Sequence, residues 1–298
     1  MLEKQCCEWI FEHETYQSWL KGEMTPRALW VHGPPGSGKS TLCRKVAESV
    51  EEEDPSVVIA SHYFRFDQNH TTYDVLKSLA VQLWDQWILR HSTPALIDTL
   101  ADYADSALSG REPVKHLVLI LHTLAHSLPS AYFFIDGVDE EVAKGAEGQG
   151  VRDSLKNALE VLDQMDKLVK PREGRPATVR LWISSQDVPY AQKKFQAYVP
   201  FNIKETVKAG IHHYLSETIG KLTVIPQERR ESIVQELVTR AESNFLWAHL
   251  MVVEMRKART EADMDESLED GRAEDLDEYY GRFFNKRLRD KKDILLSR

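Results

Sequence analysis

Two short stretches of this chain carry residue types that could do phosphate chemistry. The first is Gly33-Pro34-Pro35-Gly36-Ser37-Gly38-Lys39-Ser40, followed by Thr41. It fits G-x-x-x-x-G-K-[ST], the phosphate-binding P-loop. Glycines let the backbone curl until successive N–H groups point at one anion. A helix opening near Gly38 adds the positive end of its dipole. Lys39 can reach β- and γ-phosphates, and the Ser40 hydroxyl can ligate Mg²⁺. The second stretch is Ala131-Tyr132-Phe133-Phe134-Ile135-Asp136-Gly137-Val138-Asp139-Glu140. An apolar run that ends in an acid is the pattern of a central parallel strand meeting a ligand at its C-terminal end. Asp136 can then hold Mg²⁺ through its water shell. In many ATPases a catalytic glutamate comes directly after that aspartate, but here the place is Gly137. A base must come from elsewhere, and Asp139 or Glu140 just beyond the strand end is within reach, with Glu140 slightly preferred. Either acid could instead cap the helix that follows.

The elements that must position these residues follow from periodicity. Residues 5–21 read as a helix, with Trp9, Ile10, His13, Tyr16 and Leu20 at helical spacing. Two roles fit it: packing on the core, or lying beside a nucleotide base. Residues 28–32 read as a strand before the P-loop. Glu51 to Asp54 with Pro55 reads as an acidic break in a solvated loop. Residues 57–66 read as a second strand, 71–90 and 114–127 as helices, and 106–113 as a polar connection. Residues 142–150 and 171–176 read as loops around a helix over 153–169. Residues 179–185 read as a fourth strand, 190–198 as a short helix and 199–203 as an edge strand bearing Pro200. From residue 206 the pattern is helical, over 207–220, 227–242, 245–260 and 276–289, with an acidic stretch over 261–278. Strands alternating with helices, then helices alone, predict an α/β domain followed by a helical one. The expected divisions are a lead-in helix over 1–26, a core over 27–205 and a helical subdomain over 206–298.

Bulk properties narrow the classes. The chain has 298 residues, enough for about two domains. It is 42% hydrophobic and 29% charged, which is a globular balance. The net charge of −9 gives no basic field that would draw it to nucleic acid. No apolar run reaches the roughly 18 residues that a membrane span needs. Cys6, Cys7 and Cys43 form neither a disulfide framework nor a zinc spacing, which fits a reducing, cytoplasmic setting.

Taken together, these blocks resemble the NACHT class of STAND P-loop NTPases, most of all the NLR-like and nephrocystin-like NACHT proteins abundant in filamentous fungi. Cys7-Glu8-Trp9-Ile10 and Tyr16-Gln17-Ser18-Trp19-Leu20 resemble the lead-in helix. Residues 33–41 match the Walker A motif, and Ile135-Asp136-Gly137-Val138-Asp139-Glu140 match the Walker B motif. Trp182-Ile183-Ser184-Ser185 match the strand before the sensor arginine. Asn244-Phe245-Leu246-Trp247-Ala248 match the helical-domain signature, and Leu276-Asp277-Glu278-Tyr279-Tyr280 the helix after it.

The resemblance implies a doubly wound parallel sheet of about five strands, then an all-helical subdomain. It implies a switch module that binds ATP or GTP with Mg²⁺, hydrolyses slowly, and serves signal transduction of the kind found in fungal innate immunity and incompatibility. It also implies homo-oligomers on activation, and partners reached through effector and repeat domains that this chain does not carry. The span is that of a fragment, a truncated chain or a short form. Two alternatives remain: a scaffold that keeps nucleotide without hydrolysing it, and a P-loop hydrolase or kinase acting on a separate substrate. One departure stands out: the family's sensor arginine position holds Gln186. Glutamine can bond a phosphate but carries no charge. A charge-assisted contact is about twice as strong as a neutral one, so its loss should remove roughly 1–3 kcal/mol of preference for triphosphate. The expected outcome is weak ATP/ADP discrimination in the wild type and a sharper affinity ratio in Gln186→Arg, measured by calorimetry. A wild-type preference for ATP of about a hundredfold would contradict this.

Overall fold

The computed structural model describes residues 7–65, 68, 71–90, 93–110, 112–143, 149–170, 179–270 and 281. They form two compact units that divide between Lys204 and Glu205. The first unit runs α1 (Trp9–Glu12), α2 (Glu14–Lys21), β1 (Ala28–His32), α3 (Lys39–Glu53), β2 (Val58–Tyr63), α4 (Thr72–Arg90), α5 (Pro94–Leu108) and α6 (Pro113–Ser127). It continues with β3 (Ala131–Asp136), α7 (Val138–Ala143), α8 (Gln149–Val169), β4 (Val179–Ser185), α9 (Pro189–Lys194) and β5 (Val199–Asn202). The remaining helices are α10 (Lys204–Gly220), α11 (Gln227–Ala241), α12 (Phe245–Met255) and α13 (Glu261–Asp270).

The five strands make one parallel sheet in the order β2-β3-β4-β1-β5. This is the α/β class expected, with helices on both faces. Every residue of β1 and β3 is buried, as parallel strands covered on both sides require. One face carries Trp30, Ala131, Phe133, Ile135, Leu181 and Ile183, packed with Leu76, Leu79, Leu83, Leu121 and Leu162 of α4, α6 and α8. On the other face α3 packs against β2, β3 and β4, and α2 docks through Trp19. The Trp19 ring meets Tyr132, Phe134 and Trp182 edge-on at 5.6, 6.2 and 5.8 Å. Its indole N–H donates to the Leu181 carbonyl at 3.1 Å. Arg180 returns the contact by donating to the Trp19 carbonyl at 3.2 Å and to Ser130 Oγ at 3.0 Å.

Several expectations need correction. The lead-in is two helices rather than one, because His13 is extended (φ −75°, ψ 127°) and its side chain caps α2 by accepting from the Thr15 N–H. The acids Glu51, Glu52 and Glu53 belong to the last turn of α3, and Asp54 closes that helix. Helix α5 was not anticipated. The second strand ends at Tyr63, where the Phe64 N–H turns to the Asp136 carbonyl at 2.9 Å. Helix α8 begins at Gln149, α12 stops at Met255, and part of the acidic stretch forms α13. The loop over 171–176 lies outside the described residues, as does the helix over 276–289 apart from Gly281.

In the second unit Asn244 caps α12 by accepting from the Trp247 N–H at 2.9 Å. Trp247, Ala248, Met251, Val252 and Met255 are buried along that helix. Arg229 of α11 holds Glu261 at 2.5 Å and Asp265 at 2.7 Å on α13.

Strand β2 is a sheet edge, and its outward backbone is not left open. Gln82 of α4 accepts from the Ser61 N–H at 2.9 Å and donates to the Ser61 carbonyl at 3.0 Å. Gln86 does the same for Ile59, at 3.1 and 2.7 Å. Two side-chain amides thus stand in for a neighbouring strand and cover an edge that would otherwise invite pairing. The double variant Gln82→Ala/Gln86→Ala should lose about 2–6 kcal/mol in urea unfolding, at about 0.5–1.5 kcal/mol for each of the four lost bonds. It should also self-associate on concentration, as light scattering would detect. Unchanged stability would show that water replaces the amides without cost.

Candidate functional site

Parallel pairing brings four strand ends to one edge. His32 is in register with Ser185, Tyr63 with Asp136, and Ile135 with Ile183. The loop from Gly33 to Gly38 leaves β1 at this edge and enters α3.

The loop is built from backbone conformations that favour glycine. Gly36 and Gly38 have φ of 72° and 87°. Around Gly38 a side chain would meet nothing within 4 Å, so the loop is open there. At Gly33 the space is tighter: a Cβ would sit 3.0 Å from the Ile203 side chain, which would have to shift. The Lys39 ammonium donates to the carbonyls of Gly33 at 3.0 Å and Pro34 at 2.9 Å, drawing the loop around itself. Pro34 also accepts from the Ser37 N–H at 3.4 Å. Pro35 is exposed, Thr41 is half-buried on α3, and Ser37 is buried with an unpartnered hydroxyl. Burial lowers the proton affinity of Lys39, while Asp139, Asp136 and Glu140, in that order, raise it.

Asp136 closes β3 and is 4% exposed. Ser184 donates to its Oδ1. Burial pushes its pKa up, opposed by the hydroxyls of Ser184 and Ser40 and by Lys39. Burial drives the pKa of Tyr63, and of the fully buried Cys43 of α3, upward. Of the two later acids, Asp139 is 7% exposed and its Oδ1 has no partner. Glu140 is half-buried. Gln186 is half-buried directly after β4, and its carbonyl accepts from Ser185 Oγ at 2.9 Å.

The structure thus gathers Lys39, Ser40, Asp136, Asp139 and Glu140 from two distant stretches into one electrostatic group. Serine and aspartate oxygens suit Mg²⁺, which is usually bound by one or two protein ligands with phosphate and water completing its shell. Unpartnered buried oxygens on Ser37 and Asp139 are compatible with that use. Two features escaped the sequence reading. Ser184 is a direct partner of Asp136, and its signal was a serine closing an apolar strand, where a buried hydroxyl needs a partner. His32 and Asp187, described below, flank the site.

A family model described as nephrocystin 3, N-terminal, matches residues 5–186, more than half of the chain. The chain belongs to the nephrocystin 3 N-terminal family. The matched span covers α1 through β4, and so includes the loop over 33–41, Asp136, Asp139, Glu140, Ser184 and Gln186. No curated protein matches the chain. Among solved structures, C. elegans PCH-2 aligns at 14% identity and a TM-score of 0.41, over 85% of this chain and 64% of that one. The FIGL-1 AAA domain aligns at 16% identity and a TM-score of 0.43, over 93% and 82%. The same domain in complex with ADP aligns at 16% and 0.40, over 93% and 83%. This family member has no helix among its described residues long and apolar enough to cross a membrane.

Gly137 fixes the turn out of β3. Its φ is 71°, and a Cβ there would lie 2.9 Å from the Phe64 carbonyl oxygen. Its N–H donates to the Ser184 carbonyl at 3.1 Å. Gly137→Ala therefore combines backbone strain with a clash against main chain, whereas Gly38→Ala meets strain alone. In urea unfolding Gly38→Ala should cost about 1–2 kcal/mol, and Gly137→Ala about 3 kcal/mol or more. Equal costs would mean that the Phe64 backbone yields freely.

Proposed function

We propose that the first unit is a Mg²⁺-dependent nucleotide-binding module of the NACHT switch type, acting in signal transduction and hydrolysing slowly. The observation that supports it most is the electrostatic contact of Lys39 with Asp139, Asp136 and Glu140. It joins the start of the P-loop helix to the end of β3, as a shared metal ion would require. The phosphates of ATP or GTP would lie along residues 33–41, with the loop N–H groups and Lys39 as their partners. Lys39 can exchange its two carbonyl contacts for phosphate oxygens. Ser40 and Asp136 would hold Mg²⁺, which when bound neutralises phosphate charge.

Either Asp139 or Glu140 would orient a water and take its proton. The unpartnered Asp139 oxygen and its leading effect on Lys39 favour Asp139 over the earlier preference for Glu140. A switch of this class changes shape or assembly state with its nucleotide, and homo-oligomers on activation belong to that reading. A second reading, a scaffold that retains nucleotide without turnover, draws support from neutral Gln186 beside the β3 end.

Lys39→Ala should abolish binding of ATP and ADP in calorimetry. Asp136→Asn should remove the Mg²⁺ dependence of binding yet leave the ligand-free protein as stable as the wild type or more so, because it deletes a buried charge. Asp139→Asn should slow hydrolysis by about 10²-fold or more, as loss of a general base does, and Glu140→Gln should slow it less. Unchanged affinity in Lys39→Ala would overturn the assignment, and the opposite order of the two acids would return the base to Glu140.

A further inference from the structure

Next to the P-loop, and outside the residues its motif names, a set of side chains joins the ends of β1 and β4. Trp30 and His32 share a face of β1, and their rings stack with centroids 4.3 Å apart and planes 21° apart. The Trp30 indole N–H donates to Ser185 Oγ at 2.9 Å, and that hydroxyl donates to the Gln186 carbonyl at 2.9 Å. His32 is 7% exposed. Its Nδ1 lies 3.5 Å from Asp187 Oδ2, an ion-pair distance, and makes no hydrogen bond. The His32 carbonyl accepts from the Ile203 N–H at 3.0 Å, and the next residue is Gly33. One residue thus borders both the turn over 185–187 and the first glycine of the loop.

We infer that Trp30, His32 and Asp187 act as a positioning latch that ties the turn carrying Gln186 to the start of the P-loop, so that phosphate at the loop and the proton state of His32 are coupled. The latch rests on the nucleotide reading above and assigns it a further working part.

The charges around the imidazole give the coupling its sign. Burial disfavours the protonated ring, Asp187 from the turn after β4 favours it, and Lys39 from α3 opposes it. Burial, with a smaller contribution from Lys39, holds the ring below its ordinary titration range. An anion on Lys39 offsets the ammonium charge. The ring then takes a proton more readily, and the imidazolium pairs with Asp187. Linkage is reciprocal: if phosphate raises proton affinity at His32, protonation raises phosphate affinity by the same factor. Affinity should therefore rise as pH falls through the His32 transition. Simple packing of Trp30 against His32 would give no such dependence.

The test follows the His32 ring by NMR titration, with and without Mg²⁺-ADP, beside calorimetry of ADP binding from about pH 8 to about pH 6, the range in which histidine titrates. In the wild type, ADP should move the His32 transition upward, and affinity should rise about threefold as pH falls, the size of a weak partly exposed charge contact. Asp187→Asn, a change at a side chain 41% exposed, should lower the His32 transition without ADP and flatten the affinity profile. His32→Gln should flatten it as well. The latch is overturned if ADP binds in a Lys39-dependent way but leaves the His32 transition in place, or if both variants keep the wild-type profile. If the wild type binds no ADP, the nucleotide reading fails and takes the coupling with it. A His32 transition that still responds to Asp187→Asn would then mark the failure as belonging to nucleotide binding and not to the pair.

Discussion

A carboxylate held out of water constrains this unit more than any other group. Burying a charge is costly unless donors and opposite charge compensate it. Asp136 receives that compensation from Ser184, Ser40 and Lys39. These partners depend on two different parts of the fold. Ser184 requires β4 to lie beside β3 in parallel register. Ser40 and Lys39 require the loop to turn back from β1 over the sheet edge. Since β4 separates β1 from β3, the loop must reach across a strand, and the glycines at 36 and 38 make that path available.

The far end of the sheet is secured by different chemistry. Trp19 sits against Tyr132, Phe134 and Trp182, three aromatic side chains from two strands on one face. Its indole N–H is satisfied by a strand carbonyl. The lead-in therefore belongs to the core by burial, and its two helices share that packing despite the break at His13. Phe201 of β5 meets Trp9 and His13, at 6.0 and 4.6 Å, so the segment before β1 reaches the opposite edge strand too.

The legible parts of this chain were those whose chemistry is local in sequence. A P-loop needs its glycines, lysine and serine within eight positions, and an apolar run with a terminal acid announces its own strand. The break at His13 was hidden because the apolar spacing of the lead-in continues through it. Helix α5 was missed between two stronger patterns, although Leu96, Ile97, Leu100 and Tyr103 recur at helical spacing and pack on the core. The pairing of His32 with Asp187 could not be read at all. It exists because β1 and β4 are neighbours in register, and nothing within either segment specifies the other. The partner of Asp136 was half visible, since Ser184 had been recognised as part of a strand motif without its bond.

The glutamine pair on α4 works as a vernier between two kinds of periodicity. Four helical residues rise about 6.0 Å, and two strand residues about 6.6 Å. Gln82 and Gln86 therefore match Ser61 and Ile59 over one step with a mismatch of well under an ångström. The helix must run opposite to the strand for this to hold, and it does. Each further step adds the same error, and the positions one turn beyond hold Ser78 and Arg90, neither an amide. A helix can shield a short edge strand in this way and a long one only with growing strain. The same spacing, Gln-x-x-x-Gln on a helix laid antiparallel to an edge, is a portable means of closing a small open sheet without adding a strand.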